Sequence, residues 1–106
     1  WRNSAMRLLP VFALVVTSIA AVPAYADQNE ECEMQAKIVT RAAELRLERK
    51  REKKAVEIMM SGQDPAVAEK YIAAVPAIVD WVYSGLKRKQ LRNDPGAAYF
   101  KSCMSQ

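Results

Sequence analysis

Cys32-Glu33-Met34-Gln35-Ala36-Lys37-Ile38-Val39-Thr40-Arg41-Ala42-Ala43-Glu44-Leu45-Arg46-Leu47 decides the fold class. Cys32, Ala36, Val39, Ala43 and Leu47 step by four, three, four and four, and Ile38, Ala42 and Leu45 widen the stripe. That spacing predicts one amphipathic helix from Gln28 to Leu47, with Cys32 in its first turns on the buried side. Glu30, Glu31 and Glu33 crowd its start, where the helix dipole favours carboxylates.

Beyond Leu47 the pattern stops, because Glu48, Arg49, Lys50, Arg51, Glu52, Lys53 and Lys54 are all charged. A helix lying on a core needs an apolar contact every turn or so, so here it either runs into solvent or breaks into a turn. Apolar residues resume at Ala55, Val56, Ile58, Met59 and Met60, and Gly62 supplies a C-terminal cap. Asp64-Pro65 pairs a capping acceptor with Pro at the first helical position and predicts the next start. Ile72, Val75, Val79, Val82 and Leu86 form its stripe, with a kink or restart at Pro76, which lacks a donor. Asn93-Asp94-Pro95 repeats the start signal before a last short helix carrying Tyr99, Phe100 and Cys103. No strand-like alternation occurs, and the expected fold is all-α, a bundle of three to five helices.

Working outward the other way, Met6-Arg7 opens a short positive region, with residues 1–5 upstream of it. Leu8 to Val22 follows without a charge, and Pro23-Ala24-Tyr25-Ala26 places small residues at Ala24 and Ala26, just before Asp27. This is the three-part pattern of a cleavable signal peptide over residues 1–26, releasing a single helical domain of residues 27–106 into the periplasm or medium. The apolar run is shorter than the roughly 20 residues a membrane span takes. Of the 16 basic residues, Arg2 and Arg7 precede the cleavage point, leaving fourteen against 12 acidic ones. So small an excess is no argument for a nucleic-acid partner.

Two cysteines near opposite ends of a small exported domain are expected to pair. A Cys32–Cys103 bridge would close a loop of about 72 residues, which chain-entropy models value at roughly 4 kcal/mol. That approaches the whole stability expected of a domain this small.

The order Glu31-Cys32-Glu33, a basic turn from Arg49 to Lys54, Ile78-Val79-Asp80-Trp81-Val82-Tyr83 and Tyr99-Phe100-Lys101-Ser102-Cys103 resembles a diffuse group of small exported proteobacterial proteins of unknown function. The resemblance covers most of the mature chain and implies a helical domain with one Cys near each end. Such proteins usually carry Gly in the middle turn, where this chain has Glu52 and its neighbours. The resemblance implies no activity.

The chain contains no His, which removes the commonest acid–base group and metal ligand. Gly62, Gly85 and Gly96 are too scattered for a phosphate loop. Glu30, Glu31, Glu33 and Glu44 read as a solvated helix start, neither catalytic nor calcium-binding. No enzyme activity, cofactor or metal is therefore expected. Met34, Met59 and Met60 read as core rather than an adaptable groove. What remains is charge. Arg46, Arg49, Lys50, Arg51, Lys53 and Lys54 form a candidate anion-binding surface, and Lys87, Arg88, Lys89 and Arg92 a second basic group. The alternative is a solvated stretch held by local pairs such as Glu48 with Arg51 and Lys53 with Glu57. The expected function is contact with an envelope protein or, alternatively, with an anionic membrane surface.

Overall fold

The computed structural model describes the backbone of residues 21–106 and the side chains from Asp27 onward. The apolar run of the signal segment thus lies largely outside the described residues, as do the side chains of Ala24 and Ala26. The chain divides into two compact units between Glu30 and Glu31, and the packing below is that of the second, Glu31–Gln106. Five α-helices follow in order: α1 Ala21–Leu47, α2 Glu52–Met59, α3 Val75–Asp80, α4 Arg88–Arg92 and α5 Pro95–Met104. A 3-10 segment, Glu69–Ala74, leads into α3, and a π turn, Trp81–Gly85, leads out of it. The described residues contain no strand, as the sequence predicts.

The core is aliphatic. Ile38, Val39, Ala42, Ala43 and Leu45 of α1 meet Ala55 and Met59 of α2, Val75 and Val79 of α3, Val82 and Leu91. The stripe is therefore centred on Ile38, Ala42 and Leu45, not on the line through Leu47, which is 36% exposed. Leu47 is the last residue of α1. Met59 is fully buried, as expected of a core residue, but Met60 is 39% exposed and is not core.

The charged run does break into a turn. Arg49 N–H donates to the Arg46 carbonyl (3.0 Å) and Lys50 N–H to the Leu45 carbonyl (3.0 Å). These paired bonds are a Schellman ending, and its left-handed position falls on Arg49, with φ 66°. Glycine usually takes that position because a side chain there costs about 1 kcal/mol. A sequence scan for Gly therefore passes over this turn. Gly62 does take a left-handed conformation (φ 82°) just beyond α2, as expected.

The Asp64-Pro65 signal caps a turn and not a helix. The Asp64 carboxylate accepts from Ala66 N–H (3.0 Å), its carbonyl accepts from Val67 N–H (3.1 Å), and helical structure waits until Glu69. Asp64 is held to α1 by Arg41, whose Nε–H donates to its carboxylate at 2.9 Å. Pro76 then explains the change of pitch. It has no N–H for the Ile72 carbonyl, and Val75 N–H occupies that carbonyl in 3-10 fashion instead.

At the far end Asp94 caps α5 as predicted, accepting from Ala97 N–H at 3.2 Å. Cys103 in the last turn of α5 is bonded to Cys32 in α1, with Cα atoms 5.8 Å apart. Gly96 permits that approach. A Cβ at Gly96 would overlap Thr40 Oγ1 and stand 2.9 Å from the Ala36 carbonyl oxygen. Thr40 can rotate away, but the Ala36 carbonyl is backbone. Gly96→Ala is therefore expected to destabilise the protein by about 1–3 kcal/mol despite Ala's better helix propensity. Chemical denaturation of Gly96→Ala, alone and combined with Thr40→Ala, checks this. Recovery in the double variant would place the obstruction at Thr40 alone.

Candidate functional site

Arg46 is the residue from which the basic surface is built, and its own charge is turned inward. It sits in the last turn of α1, half-buried, and its Nη1 donates to the carbonyls of Val82 (2.5 Å) and Leu86 (2.7 Å). The Val82 carbonyl lies within the π turn and the Leu86 carbonyl just beyond it, where acceptors lack intrahelical donors. The guanidinium also lies over the Tyr83 ring, 5.9 Å from its centroid. Tyr83 Oη–H in turn donates to the Lys50 carbonyl at 2.8 Å. Burial pushes the Tyr83 phenol above its ordinary value, so it stays a neutral donor.

Two pieces distant in sequence are thereby fastened together. One is the turn after α1, with Arg49, Lys50 and Arg51; the other is Leu86, whose next residue is Lys87. The turn and its continuation into α2 present Arg49, Lys50, Arg51, Lys53 and Lys54, all exposed. Lys87, Arg88, Lys89 and Arg92, also exposed, start from the same junction. The fold thus brings the starts of the two basic segments to one junction, with Arg46 as its internal strut and not one of its surface cations.

The local pairs expected to neutralise this segment are not the ones formed. Glu48 and Arg51 make no ion pair, and Glu57 takes Lys54 (3.5 Å) instead of Lys53. Both partners of that pair are well exposed, so it contributes little. Among the described residues no ion pair engages Arg49, Lys50, Arg51, Lys53, Lys87, Arg88, Lys89 or Arg92.

The acidic group of α1 is distributed into structural contacts. Glu31 accepts from Lys70 Nζ (2.6 Å) and from Tyr71 Oη–H. Those bonds, the one from Lys70 foremost, hold its carboxyl below the usual carboxylate range. Glu44 pairs with Arg41 at 3.5 Å, and Glu33 is exposed. Gln35 links Tyr71 and Tyr99, donating to the former (3.0 Å) and accepting from the latter (2.6 Å). Among the described residues no cluster of three metal-ligating side chains occurs, and no helix is long and apolar enough to cross a membrane.

Two further features stand beside these contacts. A groove of about 600 Å³ runs between α1 and α5, floored by Ala36, Gly96, Ala97 and Phe100. Trp81, which the stripe of Val79 and Val82 flanks, is 41% exposed instead of filling the core.

Replacing Arg46 by Met keeps the stem and removes the donors. It is expected to cost about 1.5–3 kcal/mol, the range for hydrogen bonds from a charged group. Lys50→Ala and Arg51→Ala are expected to stay within about 0.5 kcal/mol of the parent. Denaturant midpoints of the three variants check the division between strut and surface. No protein-family model, curated protein or solved structure matches this chain, so the reading of the junction rests on its chemistry.

Proposed function

We propose that this chain is the precursor of a small exported, non-enzymatic helical protein that acts by contact with an envelope protein. The observation that supports this best is the junction at Arg46. By binding the Val82 and Leu86 carbonyls, that side chain draws the turn after α1 and the basic stretch after Leu86 to one corner. Clustered, unpaired cations attract an acidic surface and speed its encounter. Glu31 and Glu44 of α1 are occupied with Lys70, Tyr71 and Arg41, which suits a scaffold better than an acid–base site. Export is carried by the pattern of residues 1–26, and the disulfide suits an oxidising compartment.

The same corner favours a second reading, peripheral contact with anionic membrane. The two separate in one experiment. The parent and an Arg49→Glu, Lys50→Glu, Arg51→Glu variant are used to retain proteins from envelope extract, and are sedimented with vesicles containing anionic lipid. A protein partner retained by the parent, lost by the variant and lost in salt of about 0.5 M is the expected result. Retention unchanged by charge reversal would overturn the corner as the contact surface. Sedimentation with anionic vesicles alone would transfer the assignment to membrane.

The export half has its own test, the intact mass of protein recovered from the export compartment. A chain that begins at Asp27, and takes up alkylating reagent only after reduction, is expected. A chain retaining Leu8 to Val22, or free thiols, would contradict it.

A further inference from the structure

The corner offers more than charge, because an aromatic cleft opens beside it. Trp81, Leu86, Pro95 and Ala98 form the apolar walls of a cleft of about 290 Å³, and the amides of Gln90 and Asn93 stand at its rim. Trp81 is the most exposed large apolar side chain of the described residues, at 41%. It is nonetheless held in place. Its ring lies 6.4 Å from that of Tyr99, tilted by 55°, and it sits where a Cβ added at Gly85 would come within 3.0 Å of its Cδ1. Gln90 is fixed as well, since its Oε1 accepts from Lys87 N–H at 2.7 Å, which leaves its amide N–H groups free to donate outward. An exposed indole fixed by its neighbours is the composition of a binding hot spot, where a rigid aromatic is ordered before the partner arrives.

The charge around the cleft specifies what enters it. From Trp81 to Asn93 the chain carries Lys87, Arg88, Lys89 and Arg92 and no acidic residue. The aspartates that bound this stretch, Asp80 and Asp94, accept from Ser84 Oγ–H and Ala97 N–H. Gln90 and Asn93 are three apart on the helical turn and share the cleft face, and Lys89 stands next to that face. None of these cations is engaged in an ion pair. An apolar anchor alone would leave them unanswered, and an acidic segment alone would leave the indole uncovered.

We propose that the Trp81 cleft takes an aromatic side chain from an acidic segment of a protein partner, with the flanking carboxylates on Lys87, Arg88, Lys89 and Arg92. This rests on the basic-corner reading above and names the element of the partner that the corner selects. The ring packs against the Trp81 indole in an offset or edge-to-face arrangement. The acidic flanks set its register and exclude basic sequences.

Three synthetic peptides about ten residues long test this on the full chain: Phe flanked by aspartates, Phe flanked by lysines, and aspartates without Phe. Binding is followed by titration and by the Trp81 indole N–H resonance. The Asp-flanked Phe peptide is expected to bind at least tenfold more tightly than either control, and to shift that resonance. Trp81→Ala is expected to abolish the advantage of Phe. Ala98→Leu, which narrows the cleft at an exposed position without touching the core, is expected to do the same while leaving the aspartate-only peptide unaffected. Equal binding of the two aspartate peptides, or a Trp81 resonance that does not move, would overturn the cleft proposal and leave the basic corner standing. No binding of either aspartate peptide at low salt would overturn both.

Discussion

The bond between Cys32 and Cys103 joins the start of the packed part of α1 to the last turn of α5, and the whole buried core of the unit lies inside the loop it closes. A loop of 71 residues' separation confines the unfolded chain strongly. The unit needs such a constraint. Its fully buried side chains run no larger than Ile38, Leu45 and Met59, and many of the rest are Ala and Val. An unfolded chain of this length loses backbone freedom on the same scale as so small a core can repay. The bridge acts on the unfolded side of that balance and leaves the packing to specify which structure forms.

Around this constraint three tyrosines work alike. Tyr71, Tyr83 and Tyr99 pack their rings on the edge of the core, and each hydroxyl donates to α1 or to the turn that follows it. Their acceptors are Glu31, the Lys50 carbonyl and Gln35. Each ring adds apolar area while its polar tip fixes the position of a neighbouring element. Arg46 does the corresponding work with a charge, closing the end of the π turn with the last turn of α1. The basic corner is a by-product of that closure, since whatever follows Leu45 and Leu86 in sequence must emerge side by side.

The helical class, the end of the first helix, the cap at Asp94 and the cysteine pair were legible because each has a local signature. The start of that helix was not, since α1 already runs at Ala21 and Glu30, Glu31 and Glu33 lie beyond its first turn. Spacing of three and four marks a buried stripe, and an Asp-Pro pair marks a start. The same signature misled at Asp64, where Arg41 reaches across from α1 and binds the carboxylate, fixing a turn that holds no helix. Arg49 shows the converse. A Schellman ending normally announces itself with Gly, and here tertiary contacts from Arg46 and Tyr83 hold the turn around a residue that local preference disfavours. Arg46 could not be told from its neighbours by sequence. Its partners are backbone carbonyls thirty-six and forty residues away, and backbone atoms leave no mark in composition. The exposure of Trp81 agrees with ordinary helical spacing, since two residues past Val79 it falls off the stripe that Val79 and Val82 define.

A surface that holds cations apart from their usual partners, on a scaffold stapled end to end, suits a protein that must present one rigid patch. The cations come from two segments, so their geometry exists only in the folded unit. On this account the bridge is what keeps that patch standing. The most direct measurement is therefore the unfolding free energy of the parent against a Cys32→Ser, Cys103→Ser variant in denaturant under non-reducing conditions. The account predicts a loss of about 4 kcal/mol with the helical signal collapsing in a single transition. A loss below about 1 kcal/mol would contradict it and place the stability of the unit in its packing alone.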